Sequence, residues 1–146
     1  MHSILECARW FTEKNLEPIR QDKLQLLCYY SQVWSFAVLG SQPLFCDKFE
    51  AHIDGPRNPR LHSVCEDREF VDTSIFENAK NTYFSDDELE LLELVWDIYG
   101  GLPAERLNCL VRCDIPWKET RTEMSPRQNR AEEISFDKMM KYYQMA

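Results

Sequence analysis

The amino-acid sequence predicts a mainly α-helical domain built round one buried central helix, with a small β-hairpin or short antiparallel sheet near residues 44–54. Three observations lead there. Lys23 to Gly40, KLQLLCYYSQVWSFAVLG, is apolar or aromatic at twelve of its eighteen positions, on nearly every face of a helix. A helix that is apolar all round is enclosed by other elements. Four further stretches open with helix-start chemistry, at Ser3, Ser85, Pro103 and Ser135, and strand-like alternation is confined to the short runs after Gly40.

Taken in order, Ser3-Ile-Leu-Glu6 reads as a capping box leading a first helix with Ile4, Leu5, Ala8, Trp10 and Phe11 as its apolar positions. Pro18 lies in the connection. Asp22 is the expected N-cap of the central helix, with Gln25 three residues on, and Gly40 its left-handed stop. Each Leu, Phe or Val buried there contributes about 1.5–3 kcal/mol. Lys23, Gln25, Ser31, Gln32 and Ser35 punctuate the run, and its length is marginal for a bilayer, so it is not read as a membrane span.

After Gly40 the turn Ser41-Gln42-Pro43 leads to two short extended pieces, Leu44 to Cys46 and Phe49 to Ile53. Asp54 to Pro59 holds one glycine and two prolines and is expected to be a fixed loop, followed by a short helix from Pro59 to Val64. Residues 66–84 are weakly patterned: a loop, or a frayed helix around Phe76 to Lys80. Ser85 and Glu88 form the strongest capping box, starting a helix that Leu89, Leu91, Leu92, Leu94, Val95, Trp96, Ile98 and Tyr99 carry to Gly100-Gly101. Pro103 opens the next helix, with Leu107, Leu110 and Val111 as the expected inner face. Ile115-Pro116-Trp117 is read as its end. Residues 118–130 are polar, contain Pro126 and are expected to form a flexible loop. Ser135 caps a last helix with Phe136, Met139, Met140 and Tyr143 on one face.

A chain of 146 residues suits one domain, and 44% hydrophobic with 29% charged residues is a globular balance. With no secretion signal and no transmembrane segment in the sequence, the expected address is the cytoplasm. The net charge of −8 is local: residues 61–97 carry eleven acids against Arg68 and Lys80, while the flanking regions are near neutral. That disfavours direct nucleic-acid binding, which needs a basic footprint, and suits a basic protein partner. A solvated face that keeps the protein soluble is the plainer reading.

The six cysteines read as thiols rather than a disulfide framework. A zinc site could be drawn from Cys46, His52, His62 and Cys65, or from Cys109 and Cys113, but no C-x2-C pair is present and no metal is expected. Asp47, Glu50, His52, Asp54 and His62 crowd one polar patch, where a His near carboxylates could serve as a general base. No nucleophile elbow or phosphate-cradling loop accompanies them, so neither catalytic residues nor a cofactor are expected. Pro56 and Pro59 lack N–H groups, which makes the 54–59 loop a shape rather than an anion site. Trp117 reads first as core packing, with a partner anchor beside the polar stretch as the other role.

The order of these motifs resembles the Panacea domain, a phage-associated family. The run KLQLLCYYSQVW is similar to its lysine-leucine-glutamine, double-tyrosine signature. Gly40 with Pro43-Leu44-Phe45, Phe49-Glu50-Ala51 into Gly55-Pro56, the acidic helix to Tyr99-Gly100, Pro116-Trp117 with Arg121, and Tyr142-Tyr143 follow in family order. The likeness covers roughly residues 4–145. Asp54 stands where an aromatic residue is common, Arg57 where valine is, and Val111-Arg112 where a threonine-histidine pair is usual. No role resting on that histidine is assigned here.

The resemblance implies a non-enzymatic antitoxin, often prophage-borne, that neutralises a toxin encoded beside it by direct protein–protein binding. It also implies two alternatives: a proteolytic adaptor delivering the toxin to a protease, and a phage effector that binds a host defence protein. The expected contact is the acidic helix at Asp86, Asp87, Glu90 and Glu93, together with Arg57 and Trp117.

Overall fold

The computed structural model describes residues 2–79, 83–123 and 131–144. Among these residues the helices are α1 (Ile4–Lys14), α2 (Gln21–Val38), α3 (Pro59–Val64), α4 (Asp86–Tyr99), α5 (Ala104–Val111), α6 (Ile115–Glu123) and α7 (Phe136–Tyr143), with one turn of 3-10 helix at Thr73–Phe76. The strands are short. β1 (Ile19–Arg20) pairs antiparallel with β4 (Phe70–Val71), and β2 (Phe49–His52) lies between β3 (Gly55–Arg57) and β5 (Glu133–Ile134), antiparallel to both.

The fold is organised round α2, as its composition predicts. Every residue from Leu24 to Val33 is buried, and α1, α4, α5 and α7 pack on it together with β3. Leu24, Leu27, Tyr29 and Val33 have no exposed surface, and Gly40 stops the run at φ 64°.

The start of α2 differs from expectation. Arg20, not Asp22, is the cap residue, and its side chain makes no capping bond. The β1–β4 pairing lets the carbonyl of Glu69 accept from Gln21 N at 3.0 Å, satisfying a donor that a capping side chain would otherwise take. Asp22 instead accepts from Lys23 N at 2.8 Å and from the Arg20 guanidinium.

The polar residues of α2 are structural. Gln25 donates to Asn58 O and accepts from Asn58 N, both at 3.0 Å, so one side-chain amide pairs both backbone polar groups of one residue at the hairpin's exit. Gln32 does the same for the turn after Gly40: its oxygen accepts from Leu44 N and Phe45 N, and its nitrogen donates to Phe45 O. Ser31 donates to Leu27 O and Ser35 to Gln32 O within the helix. Buried polar groups are tolerable only when paired, and among the described residues no buried side-chain polar atom lacks a partner.

A short antiparallel sheet forms as expected, but the partner of Phe49–His52 is Gly55–Arg57, inside the stretch expected to be a fixed loop, because the tight turn at Asp54 folds the chain straight back on itself. A third strand follows, with Phe49 opposite Ile134 and Glu50 opposite Glu133. Leu44 to Cys46 is not a strand; only Phe45 bridges, to His2. Gly55 sits at φ 140°, a conformation L side chains rarely adopt, at the close of the hairpin turn. α3 forms as predicted, with Asn58 as its cap.

Three further expectations are corrected. Ile115-Pro116-Trp117 opens helix α6, which continues to Glu123, so residues 118–123 are helical; 124–130 lie outside the described residues. Pro116 is placed in the first turn, where its missing N–H costs nothing. Residues 66–79 hold β4 and the 3-10 turn rather than a frayed helix, and Lys80 is outside the described residues. Leu110, expected inside α5, is 45% exposed, and Leu107 and Val111 form the inner face. Among the described residues no helix is long and apolar enough to cross a membrane.

Candidate functional site

The capping box at the start of α4 is complete, with Ser85 Oγ accepting from Glu88 N at 3.2 Å and Glu88 Oε1 accepting from Ser85 N at 2.7 Å. Glu88 is also the inward-facing acid of this helix. His2 bridges it to Glu6 of α1, at 3.0 and 2.8 Å, and lies against Phe84. Burial pushes the Glu88 carboxyl up, but the hydrogen bonds from Ser85 and His2 together outweigh it and hold the group below its ordinary value.

Leu91, Leu92 and Val95 turn into the core, and Tyr99 stacks on Tyr30 with ring centroids 4.1 Å apart. Lys23 donates to Gly100 O at 2.6 Å, a cation at the carbonyl end of the helix. Burial lowers the Lys23 pKa. The helix is thereby pinned at both ends and along one side, and its other side is outward.

That outer side carries four of the predicted contact residues. Asp86, Asp87 and Glu90 are exposed, and Glu93 pairs with Lys14 at 2.8 Å. The sequence reading did not single out their neighbours: Leu89, Leu94 and Ile98 are 36%, 42% and 50% exposed. Asp86, Leu89, Glu90, Glu93, Leu94 and Asp97 line one shallow groove. The signal was present in the run DELELLELVWDIY, which has more apolar residues than one helix face can bury, but sequence alone does not say which of them face out.

Arg57 and Trp117 belong to a different region. Arg57 lies 3.7 Å from Asp54 and lines a cleft of about 300 Å³ with Arg20, Asp22, His62 and Glu69, among others. This cleft shares no lining residue with the α4 groove. Trp117 is only 9% exposed; its indole donates to His52 O at 2.8 Å, and Arg121 donates to Ala51 O at 3.1 Å, so α6 is strapped to the hairpin.

The polar patch proposed from Asp47, Glu50, His52, Asp54 and His62 is divided by the fold. Asp47 accepts from Ile4 N at the start of α1, Glu50 and His52 pair with each other at 3.0 Å, and only Asp54, which faces Arg57, and His62 share a concavity, the cleft. None of the six cysteines, all of them among the described residues, is in a disulfide; Cys7, Cys28 and Cys65 are buried, while Cys46, Cys109 and Cys113 are exposed. Among the described residues no three His, Cys, Asp or Glu side chains are grouped to hold a metal ion.

A second buried carboxylate network is structural in its geometry. Asp114, at the junction of α5 and α6, accepts from Tyr29 at 2.5 Å, from Tyr143, and from Trp117 N at 3.1 Å. Burial pushes its pKa up against the pull of those donors. The two tyrosines of the central signature thus have separate tasks: Tyr29 ties α2 to Asp114, and Tyr30 stacks on α4. Trp34 adds a third tie by donating to Tyr99 Oη at 3.0 Å.

No curated protein and no solved structure matches this chain. The family model described as "Antitoxin SocA-like, Panacea domain" matches residues 24–118, from the central helix through α4 and α5 into α6. That stretch covers well over half of the sequence and contains the signature whose tyrosines hold the core together, so the chain belongs to the SocA-like antitoxin family with a Panacea domain.

Proposed function

We propose that this protein neutralises a cognate toxin, encoded beside it, by direct protein–protein binding and without chemistry of its own. Membership of an antitoxin family over residues 24–118 carries the reading. The outer face of α4 supports it by offering what a binding module needs: a rigid helix pinned by its cap, by Lys23 and by the Tyr30 stack, presenting charge and apolar surface outward. Asp86, Asp87, Glu90 and Glu93 make the principal contact in this reading. Arg57 contributes from the separate cleft, and Trp117 acts indirectly by holding the hairpin that carries Arg57. The pair works in the cytoplasm and is phage- or prophage-borne.

Co-expression tests this. The neighbouring gene, induced alone, is expected to arrest growth, and induction together with this protein is expected to restore it with toxin levels unchanged. A neighbour that is harmless alone, or that still arrests growth in company, defeats the reading. A fall in toxin level on rescue would replace blocking by delivery to a protease.

A further inference from the structure

We propose that the α4 groove is the seat of a cationic amphipathic helix, whose lysines or arginines meet the carboxylate stripe and whose apolar side chains cover Leu89, Leu94 and Ile98. The proposal rests on the antitoxin reading for the identity of the partner as a toxin, and adds the chemistry of the segment that docks.

At about 100° of rotation per residue, Asp86, Glu90, Glu93 and Asp97 fall within roughly 60° of one another, a single narrow stripe. Leu89 borders that stripe on one side, and Leu94 and Ile98 on the other. From Asp86 to Asp97 the stripe runs about 17 Å, three turns of helix. Exposed apolar residues scattered singly are ordinary surface, but here Leu89 and Leu94 line one groove with the acids, and exposed Ile98 follows one turn after Leu94 on the same side. The acids recur at intervals of four, three and four residues, the spacing at which side chains of a second helix laid alongside would meet them.

Charge selects the occupant. A second copy docked by two-fold symmetry would set the same acidic stripe against itself. Nucleic-acid phosphates and anionic lipid headgroups carry the same sign as the groove. Among the described residues Lys14 is the only cation paired with the stripe, through Glu93, and Asp86, Glu90 and Asp97 are exposed. A polypeptide helix with basic and apolar stripes complements both features at once.

The experiment uses the full chain and two triple variants at exposed positions, D86K/E90K/D97K and L89S/L94S/I98S, with circular dichroism confirming that each folds. Each is titrated by fluorescence anisotropy with a synthetic lysine–leucine amphipathic helix, with a scrambled peptide of equal charge, and with the neighbouring gene product. The wild-type chain is expected to bind the amphipathic peptide one-to-one and in preference to the scrambled one. The charge variant should lose about a hundredfold in affinity together with the salt dependence, and the apolar variant roughly tenfold with the salt dependence kept. Equal binding of both peptides, or of all three chains, overturns the proposal. If the wild type neutralises its neighbour and both variants bind that neighbour unchanged, the α4 seat is refuted while the antitoxin reading stands. If the peptide pattern appears but the neighbour's toxicity is untouched, the antitoxin reading fails and the docking chemistry stands.

Discussion

Replacing Tyr29 by Phe removes one hydroxyl from the interior and leaves the ring's packing against Phe49 and Tyr30 in place. The hydroxyl is one of three donors to Asp114, whose carboxylate is nearly buried and receives Tyr29 and Trp117 N on one oxygen and Tyr143 on the other. A hydrogen bond to a charged group contributes about 1.5–3 kcal/mol, and water cannot easily substitute in a site this enclosed. The expected loss is about 2 kcal/mol at neutral pH, or roughly 4–8 °C in Tm for a domain of this size. The pH dependence distinguishes this cause from a generic packing defect. Burial holds the Asp114 pKa above its ordinary 3.8, against the pull of the three donors. A carboxyl raised on folding contributes stability that is fully present below its unfolded pKa and lost as pH rises through the folded value. Without Tyr29 the folded pKa rises further, so the deficit of the variant is largest at neutral pH and shrinks as the solution is acidified toward about pH 4. Urea unfolding followed by tryptophan fluorescence, wild type against Tyr29→Phe at each pH, measures it directly. A deficit that stays constant from neutral to acid would show that the Asp114 charge is not what Tyr29 serves.

Three more substitutions test pairing and packing in the fold. Gln32→Leu strips the partners from Leu44 N, Phe45 N and Phe45 O, all buried, and is expected to cost roughly 3–6 kcal/mol by thermal or urea unfolding. A cost under about 1 kcal/mol would mean that the turn re-pairs its backbone elsewhere. Gly100→Ala would set a Cβ 2.5 Å from Trp96 O and 2.6 Å from its ring, and should destabilise by about 1–3 kcal/mol. Gly101→Ala, with nothing within 4 Å, should stay within about 0.5 kcal/mol, and equal effects would refute the steric reading.

The elements that sequence could place were those whose signal is local. Caps at Ser85 and Ser135, the proline-led starts of α3 and α5, the stop at Gly40 and the enclosure of the 23–40 run depend on side chains within a few residues of one another, and the fold kept them. The entry to α2 was misplaced because its first donor is satisfied by Glu69, far along the chain, through a strand pair of two residues. β5 was invisible for the same reason: a two-residue strand has no periodicity, and only the edge of β2 makes it one.

The contact surface shows the same division. Composition located the acidity on α4, because charge is a property of the residues themselves. Which acids are available was a tertiary decision: Glu88 turns inward to His2, Glu93 is held by Lys14, and Asp86, Glu90 and Asp97 stay outward. Sequence by itself determined that a greasy helix must be enclosed, that the helices covering it start where they do, and that one of them is acidic. Only the folded chain decided that Arg57 and α4 line separate concavities, that Trp117 faces the hairpin, and that Leu89, Leu94 and Ile98 flank the carboxylates. The physical reason is that propensity and capping act over a single turn, whereas burial depends on what the rest of the chain brings alongside.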